Sequence, residues 1–190
     1  MELSLGSGII RAVATLEIRT FGDPALRQRA KEVDSVLDLH RRLIGDMLET
    51  MRDAPGVGLA GPQVGVLERV FVWEVAEEQG AIFNPVITLA SQEKVAGEEG
   101  CLSLPGLYYP VDRSQAVRVE GLDAQGQPLV LEAEDFLARV CQHEIDHLDG
   151  VLFIDHLPDE LRKEALTILR NQALGLPPPS RDDHPTEEKL

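Results

Sequence analysis

The hydrophobic positions change their period along the chain, and the changes predict alternating helices and strands. After a possible N-cap at Asp34, apolar residues recur at spacings of three and four, as they do on one face of a helix. The residues of this face are Val36, Leu37, Leu43, Ile44, Met47, Leu48 and Met51. Segments rich in Val, Ile, Leu and Phe then predict strands over residues 69–75, 81–89, 116–122 and 128–131. Residues 124–127 favour a hairpin between the last two.

The C-terminal third returns to a helical pattern. Its apolar residues predict a helix from about Glu134 to Leu148, with Gly150 as the C′ residue that ends it. A short strand over 151–153 and a last helix over 159–173 are expected next. The chain is therefore predicted to be an α+β protein, with mainly antiparallel strands around the helix at 134–148 and further helices toward both termini.

The length of 190 residues suits one domain. Residues 1–15 mix small and apolar residues without a clear period and are expected to form an irregular arm. Residues 176–190 begin with Leu176 and three prolines and continue as a polar run, so a disordered tail is expected there. The catalytic domain is predicted to span residues 16–175.

Charge and apolar content exclude several classes of protein. The net charge of −15 would repel a phosphate backbone, and no basic patch stands apart from it, so DNA binding is not expected. No segment is apolar enough for a membrane helix, and the N-terminus has no basic leader, so a cytoplasmic protein is expected. Two cysteines cannot build a disulfide framework.

The run from Gln142 to His147 carries the first chemical signal. Because His143 and His147 are four positions apart on a predicted helix, their imidazoles lie on one face and can converge on one metal ion. Glu144 can reach a water molecule on that ion, which makes it a candidate general base. Cys141 points to another side of the helix and is assigned to the core.

A third metal ligand is not found where zinc proteases usually place it. Six residues after His147, where a metzincin has its third histidine, the chain has Phe153. Glu160 and Glu164 are candidates for an endopeptidase site, but they lie on a separate predicted helix. Cys101 lies upstream beside a glycine, and a thiolate binds zinc or iron well. Cys101 is therefore favoured, and the endopeptidase ligand set stays an alternative.

The glycine-rich run at residues 56–65 is a second signal. Its four glycines predict a tight loop rather than a strand or helix, and they allow a ligand to approach the backbone closely. The run lacks the Gly-Lys-Ser/Thr of a phosphate-binding loop. Gln63 is its one side chain that can donate a hydrogen bond to an oxyanion.

Taken together, these motifs resemble those of the peptide deformylase family. Members carry a G-x-G-L-A-A-P-Q-type loop, an E-G-C-L-S motif and an H-E-x-x-H helix, which correspond here to residues 56–63, 99–103 and 142–147. The resemblance runs from about Leu16 to near Leu157, roughly three quarters of the chain. Three motifs in the same order make it specific.

The resemblance implies an α+β fold and a metal-dependent hydrolase that removes the N-formyl group from the initiator methionine of nascent polypeptides and releases formate. It implies that Cys101, His143 and His147 bind one divalent ion, with Fe²⁺ expected and Zn²⁺, Ni²⁺ or Co²⁺ as further candidates. The implied partners are N-formyl-methionyl nascent peptides at the ribosome, in the cytoplasm of a bacterium.

The resemblance also implies roles for the remaining site residues. Water on the metal would attack the formyl carbon, with Glu144 as general acid and base. Gln63 and the backbone N–H of Leu102 would bind the oxyanion, and Gly58 would pair with the peptide backbone. We expect the pocket for the methionine side chain to have four walls, Val57, Leu102, Phe136 and Val140.

The sequence departs from the family pattern at two positions. Gly61 replaces a commoner alanine and is expected to add flexibility beside Gln63. Tyr108 stands where many members have a basic residue that helps to bind the peptide, so contacts with the substrate backbone are expected to differ. Glu99 and Arg113 resemble the buried ion pair of the family.

A third hypothesis is a non-catalytic module with a structural metal. It requires a closed fourth coordination position, and no further Cys or His is well placed to close one. His40 and His184 are assigned no role in the site. His156 is also left unassigned, with support of the site from behind the ligands as the alternative.

Overall fold

The computed structural model describes residues 14–177. The strands are β1 (Gly58–Ala60), β2 (Val70–Val75), β3 (Glu78–Ala90), β4 (Lys94–Cys101), β5 (Leu104–Ser114), β6 (Ala116–Leu122) and β7 (Pro128–Glu134). The α-helices are α1 (Asp38–Asp53), α2 (Asp135–Leu148) and α3 (Asp159–Ala173), with 3₁₀ helices at Pro24–Arg27, Gly61–Val64 and Phe153–His156. Apart from residues 14, 15, 176 and 177, the expected arm and tail, including His184, lie outside the described residues, so the division into arm, domain and tail stays a prediction.

All strand pairs in the two sheets are antiparallel. Five strands form one sheet in the order β1-β2-β3-β6-β7, and β4 pairs with β5 in a separate two-stranded sheet. Strand β1 therefore lies at one edge of the larger sheet, with no further strand beside it among residues 14–177. The α+β prediction with mainly antiparallel strands is confirmed.

Helix α2 lies between the two sheets. It contacts β1, β2 and β7 of the larger sheet and β5 of the smaller one. Gly150 adopts a left-handed φ of 75° just beyond the helix. The Gly150 N–H donates to the carbonyl of His147, and the Val151 N–H donates to that of Asp146, which is a Schellman motif. The predicted stop at Gly150 is confirmed.

Three clusters of buried apolar side chains form the core. The first lies between the larger sheet and α2 and includes Phe71 and Cys141, as expected for that cysteine. The second joins β5, α3 and the 3₁₀ helix at Phe153–His156. The third joins α1 to the larger sheet through residues such as Met51. Within residues 14–177, none of the helices has the length and apolar character that a membrane span requires.

One predicted helix start and one predicted strand are wrong. Helix α1 begins at Asp38, not after Asp34, because the Nδ1 atom of His40 accepts a hydrogen bond from the Leu37 N–H at 2.9 Å. Residues 151–153 do not form a strand. Leu152, Phe153, Ile154 and Leu157 are all buried, and consecutive burial suits a 3₁₀ helix, whose side chains do not alternate between two faces.

Two regions near the site contain elements that were not predicted. The run at 56–65 is not a simple loop, because it contains strand β1 and the 3₁₀ helix at Gly61–Val64. The hairpin of β4 and β5 is also new, and Cys101 is the last residue of β4 rather than part of a connection between strands. The smaller sheet thus supplies one candidate metal ligand.

Candidate metal centre

The three predicted metal ligands come together between α2 and the end of β4. One ligand atom each from Cys101, His143 and His147 lies within 4.8 Å of the other two. The Sγ atom of Cys101 is 3.2 Å from Nε2 of His147, and the two imidazole ring centres are 4.9 Å apart. In the described part of the chain, no other group of three His, Cys, Asp or Glu side chains is arranged to hold an ion.

The glutamates of the alternative ligand set are elsewhere. Glu160 and Glu164 lie on α3, where Glu160 forms an exposed ion pair with Lys163 at 3.0 Å. Neither belongs to the cluster. The ligand set expected for an endopeptidase is therefore absent from residues 14–177.

The donor set fits a divalent transition-metal ion. Two imidazoles and one thiolate suit Zn²⁺, Fe²⁺, Co²⁺ or Ni²⁺, and three protein ligands leave a coordination position for water or substrate. Nδ1 of His143 is 3.0 Å from Oε2 of Glu99, so the Nε2 atom of that ring is left for an ion. A carboxylate behind a ligating histidine is the usual means of fixing ring orientation and tautomer.

Glu99 is buried in a network of positive charge. Nε and Nη2 of Arg113 donate to its two oxygens at 2.8 and 3.0 Å, and Nη1 of Arg139 donates to Oε1 at 2.8 Å. Burial alone would raise the pKa of Glu99, but hydrogen bonds with His143 and Arg113 outweigh it and lower that pKa to about 2. The predicted Glu99–Arg113 pair is present. It adjoins the candidate metal ligands through the contact between Glu99 and His143.

The two imidazoles have different environments. Burial disfavours the charged form of both rings. At His143, hydrogen bonds with Cys101 and Glu99 outweigh burial and raise the pKa. At His147, burial and the charge of His143 lower the pKa, which keeps the ring neutral and its lone pair available to an ion.

Glu144 is a buried carboxyl group beside the cluster. Only 3% of the residue is exposed, and Oε2 has no hydrogen-bond partner among the described residues. Burial raises the pKa of Glu144 to about 7, against the opposing charge of His143. A β-carbon on Gly58 would lie 2.8 Å from Cδ of Glu144, so the carboxyl group occupies the space that a side chain at position 58 would need.

Gln63 is fixed at the cysteine side of the cluster. Its Oε1 accepts a hydrogen bond from the Ala60 N–H at 2.8 Å, which turns the amide nitrogen toward Cys101. Nε2 lies 3.3 Å from Oγ of Ser103 and 3.6 Å from Sγ of Cys101. Leu102 follows Cys101 in the turn between β4 and β5. Both predicted oxyanion donors are therefore close to the candidate ligands.

A cavity of about 460 Å³ opens beside the cluster. The residues expected to bind substrate all line it, together with Cys101, His143, Glu144 and Gln63; they are Val57, Gly58, Leu102, Phe136 and Val140. Val57 and Phe136 are partly exposed at 40% and 51%, so they lie toward the mouth, whereas Val140 is buried. The structure brings these residues to one cavity, and their contact with substrate stays a prediction.

Gly61 and Tyr108, the two departures from the family pattern, lie in different surroundings. A β-carbon at Gly61 would lie 2.7 Å from the carbonyl oxygen of Val66 and 2.8 Å from that of Glu68. The glycine therefore allows the backbone to pack closely here, and the flexibility expected beside Gln63 stays a prediction. Tyr108 lies across the hairpin from Gly100, is 64% exposed and lines the cavity.

Sequence reasoning missed three supporting side chains. Oδ2 of Asp146 accepts hydrogen bonds from Nη1 of Arg113 at 2.6 Å and from Nε2 of His156 at 2.7 Å. His156, which had no assigned role, thus belongs to the network behind the ligands. Arg139 is the third, because it donates to Glu99. Its position four residues before His143, on the same face of a predicted helix, could have indicated it.

Comparison with known proteins agrees with this site. The family model described as polypeptide deformylase matches residues 15–163. Peptide deformylase of Acidothermus cellulolyticus is 52% identical over 158 residues, covering 83% of this chain and 87% of the relative. The structure of peptide deformylase from Ehrlichia chaffeensis matches with a TM-score of 0.81 and 38% identity, covering 85% and 98% of the two chains. A peptide deformylase from Acinetobacter baumannii with Met-Ala-Ser bound matches with a TM-score of 0.74 and 32% identity, covering 76% and 99%. The chain therefore belongs to the polypeptide deformylase family.

Proposed function

We propose that this protein hydrolyses the N-formyl group of formyl-methionyl nascent peptides, near the ribosome, and releases formate. The observation that carries the proposal is the cluster of Cys101, His143 and His147 with Glu144 and Gln63 at the wall of one cavity. The Acinetobacter relative, which binds a peptide that begins with methionine, supports the class of substrate.

Cys101, His143 and His147 would hold one divalent ion, and Fe²⁺ is proposed from the family resemblance. A bound ion supplies Lewis acidity and lowers the pKa of a water ligand toward neutrality. Glu99 orients the His143 ring by its contact with Nδ1. The two histidines keep their spacing because consecutive turns of α2 carry them.

Glu144 is proposed to move the proton. Its carboxylate accepts the proton of the attacking water and later delivers it to the leaving nitrogen. The unpartnered Oε2 is available for this, and burial keeps bulk water away from the carboxyl group.

Gln63 and Leu102 are proposed to stabilise the charge that develops on the formyl oxygen. The Ala60 N–H holds the amide oxygen of Gln63, so the amide plane is oriented before the reaction begins. Each such donor contributes about 3 kcal/mol to transition-state stabilisation. The substrate backbone would add to the edge of β1 at Gly58, with the methionine side chain in the cavity.

The test is formate release from formyl-Met-Ala-Ser by metal-loaded protein. We expect the wild type to release formate, and Glu144→Gln to lower kcat by about 10³-fold while metal content stays the same. Glu132→Gln is the matched control, because Glu132 is an exposed carboxylate on β7. A fully active Glu144→Gln variant with its metal bound would contradict the proton transfer, and a wild type that binds metal but releases no formate would contradict the activity.

A further inference from the structure

Arg139 and His143 bind the same carboxylate from the same helix. They are four residues apart on α2, so their side chains leave from one face. Nη1 of Arg139 donates to Oε1 of Glu99 at 2.8 Å, while Nδ1 of His143 is 3.0 Å from Oε2. Glu99 therefore lies across this face of α2, with Oε1 beside Arg139 and Oε2 beside His143.

The Arg139 guanidinium also connects α2 to both strands of the hairpin. Nη1 donates to the carbonyl of Val111 on β5 at 2.8 Å, and Nη2 donates to that of Val95 on β4 at 2.6 Å. Only 12% of the side chain is exposed. A β-carbon at Gly97 would be 2.8 Å from Nη2, so the glycine leaves the space that the guanidinium fills. The Arg139 guanidinium is therefore largely buried and held by hydrogen bonds to both strands of the hairpin.

The second arginine at Glu99 acts from a different element. Arg113 binds both oxygens of Glu99, but it projects from β5, and Glu99 itself is on β4. Those contacts fix the carboxylate within the hairpin. Nη1 of Arg113 also donates to Oδ2 of Asp146 on α2 at 2.6 Å, so Arg113 connects Glu99 to the helix only indirectly. Apart from the candidate ligand His143, Arg139 is the α2 side chain for which the described residues show a direct hydrogen bond to Glu99.

We propose that Arg139 is a positioning residue of the metal centre, which holds Glu99 against α2 and so orients the His143 ring before an ion binds. This inference rests on the proposed metal site and not on the reaction. Partners behind metal ligands typically change metal affinity by 10–100-fold when they are replaced. Removal of Arg139 is therefore expected to weaken ion binding.

The experiment measures Co²⁺ binding to metal-free protein by competition with a chelator, followed by the visible spectrum of the bound ion. We expect Arg139→Met to raise the Kd for Co²⁺ about tenfold and to change the ligand-field bands. Arg139→Lys keeps the charge but cannot reach Glu99 and both strands together, so we expect partial rescue. Arg118→Met is the matched control, because Arg118 forms ion pairs on the surface of the larger sheet.

A second variant, Glu99→Gln, distinguishes a positioning role of Arg139 from a role in protein stability alone. If Arg139 acts through Glu99, Arg139→Met will raise the Kd less in the Glu99→Gln background than in the wild type. A purely structural role would lower the Tm of the metal-free protein and leave both the Kd and the spectrum unchanged. That result, or a Kd within twofold of wild type for both Arg139 variants, overturns the inference. A wild type that binds no Co²⁺ would instead overturn the proposed metal site.

Discussion

Gly58 leaves the space that the carboxyl group of Glu144 fills. Glu144 occupies the space beside its α-carbon, and neither group can shift freely because both are buried. The motif indicated that glycine belongs at this position and assigned it to the peptide backbone. The structure adds a second reason, which is room for the carboxyl group.

Replacing Gly58 with alanine is expected to impair catalysis without removing the metal. The new methyl group would displace Glu144, and a shift of about 1 Å in a reacting group can cost about 10²-fold in rate. We therefore expect kcat for formate release to fall about 10²-fold, with unchanged metal content in elemental analysis.

Gly45→Ala is the control for this change. Gly45 lies on α1, and a β-carbon there meets no atom within 4 Å, so full activity and a gain of about 0.5–1 kcal/mol in unfolding free energy are expected. Equal activity of Gly58→Ala and Gly45→Ala would show that Glu144 tolerates displacement or takes no part.

Among the elements, the β4–β5 hairpin best shows the limit of sequence reasoning. Its inward positions include Glu99 and Arg113, which are buried as charges because they pair with each other. A strand whose buried positions are charged lacks the alternation by which strands are recognised. Pro105 and Pro110 weaken the signal further. Helix α2, whose buried stripe is mostly apolar, was predicted to within one residue at its start.

The same limit explains which site residues were found. The motifs predicted Cys101, His143 and His147 as metal ligands, because cysteine and histidine are residue types that commonly bind metal ions. Arg139 was missed because its role depends on Glu99, and Glu99 reaches it only through a hairpin that the pattern did not reveal.

An ion pair between two 3₁₀ helices provides a test of pH dependence. Arg27 binds both oxygens of Asp155, with 3.3 Å between Nη2 and Oδ1, and the Leu152 N–H donates to the same carboxylate. Burial would raise the pKa of Asp155, but the hydrogen bonds with Arg27 and Leu152 outweigh it and lower that pKa. The stabilisation is therefore present above the unfolded-state pKa of about 3.9 and is lost as the pH falls through the lower folded-state value.

We expect Asp155→Asn to lower the free energy of unfolding by about 0.5–1 kcal/mol at pH 7 and by less at pH 3, where the wild-type carboxylate begins to protonate. Denaturant unfolding at both pH values measures the difference. Glu160→Gln, at an exposed ion pair on α3, is expected to change stability little at either pH. A deficit of the same size at both pH values would mean that the charge of Asp155 contributes nothing.

For the molecule as a whole, the three candidate metal ligands come from both sides of the boundary between its two sheets. Cys101 comes from the smaller sheet, and the two histidines come from the helix packed on the larger one. The predicted α+β architecture is confirmed, but this division of ligands between two sheets was not foreseen. An ion bound here would cross-link parts of the structure that are distant in the sequence.

Metal removal is therefore expected to destabilise the protein and to loosen the hairpin first. Binding to the folded state alone adds about 4 kcal/mol at a free-ion concentration of 1,000 Kd, so the Tm should fall clearly when a chelator is added. Hydrogen exchange should then speed up in β4 and β5 more than in β2 and β3. Cys101→Ala should remove the chelator effect, whereas equal Tm values of loaded and stripped wild type would contradict the cross-link.

The proposed pairing of the substrate backbone with the edge of β1 has a consequence for the breadth of substrates. The N–H and C=O groups along that edge are the same for any polypeptide that lies beside them. An enzyme that recognises only backbone groups beyond the first residue can accept polypeptides of many different sequences. Proline next to methionine would be the expected exception, because its ring nitrogen has no hydrogen to offer the edge.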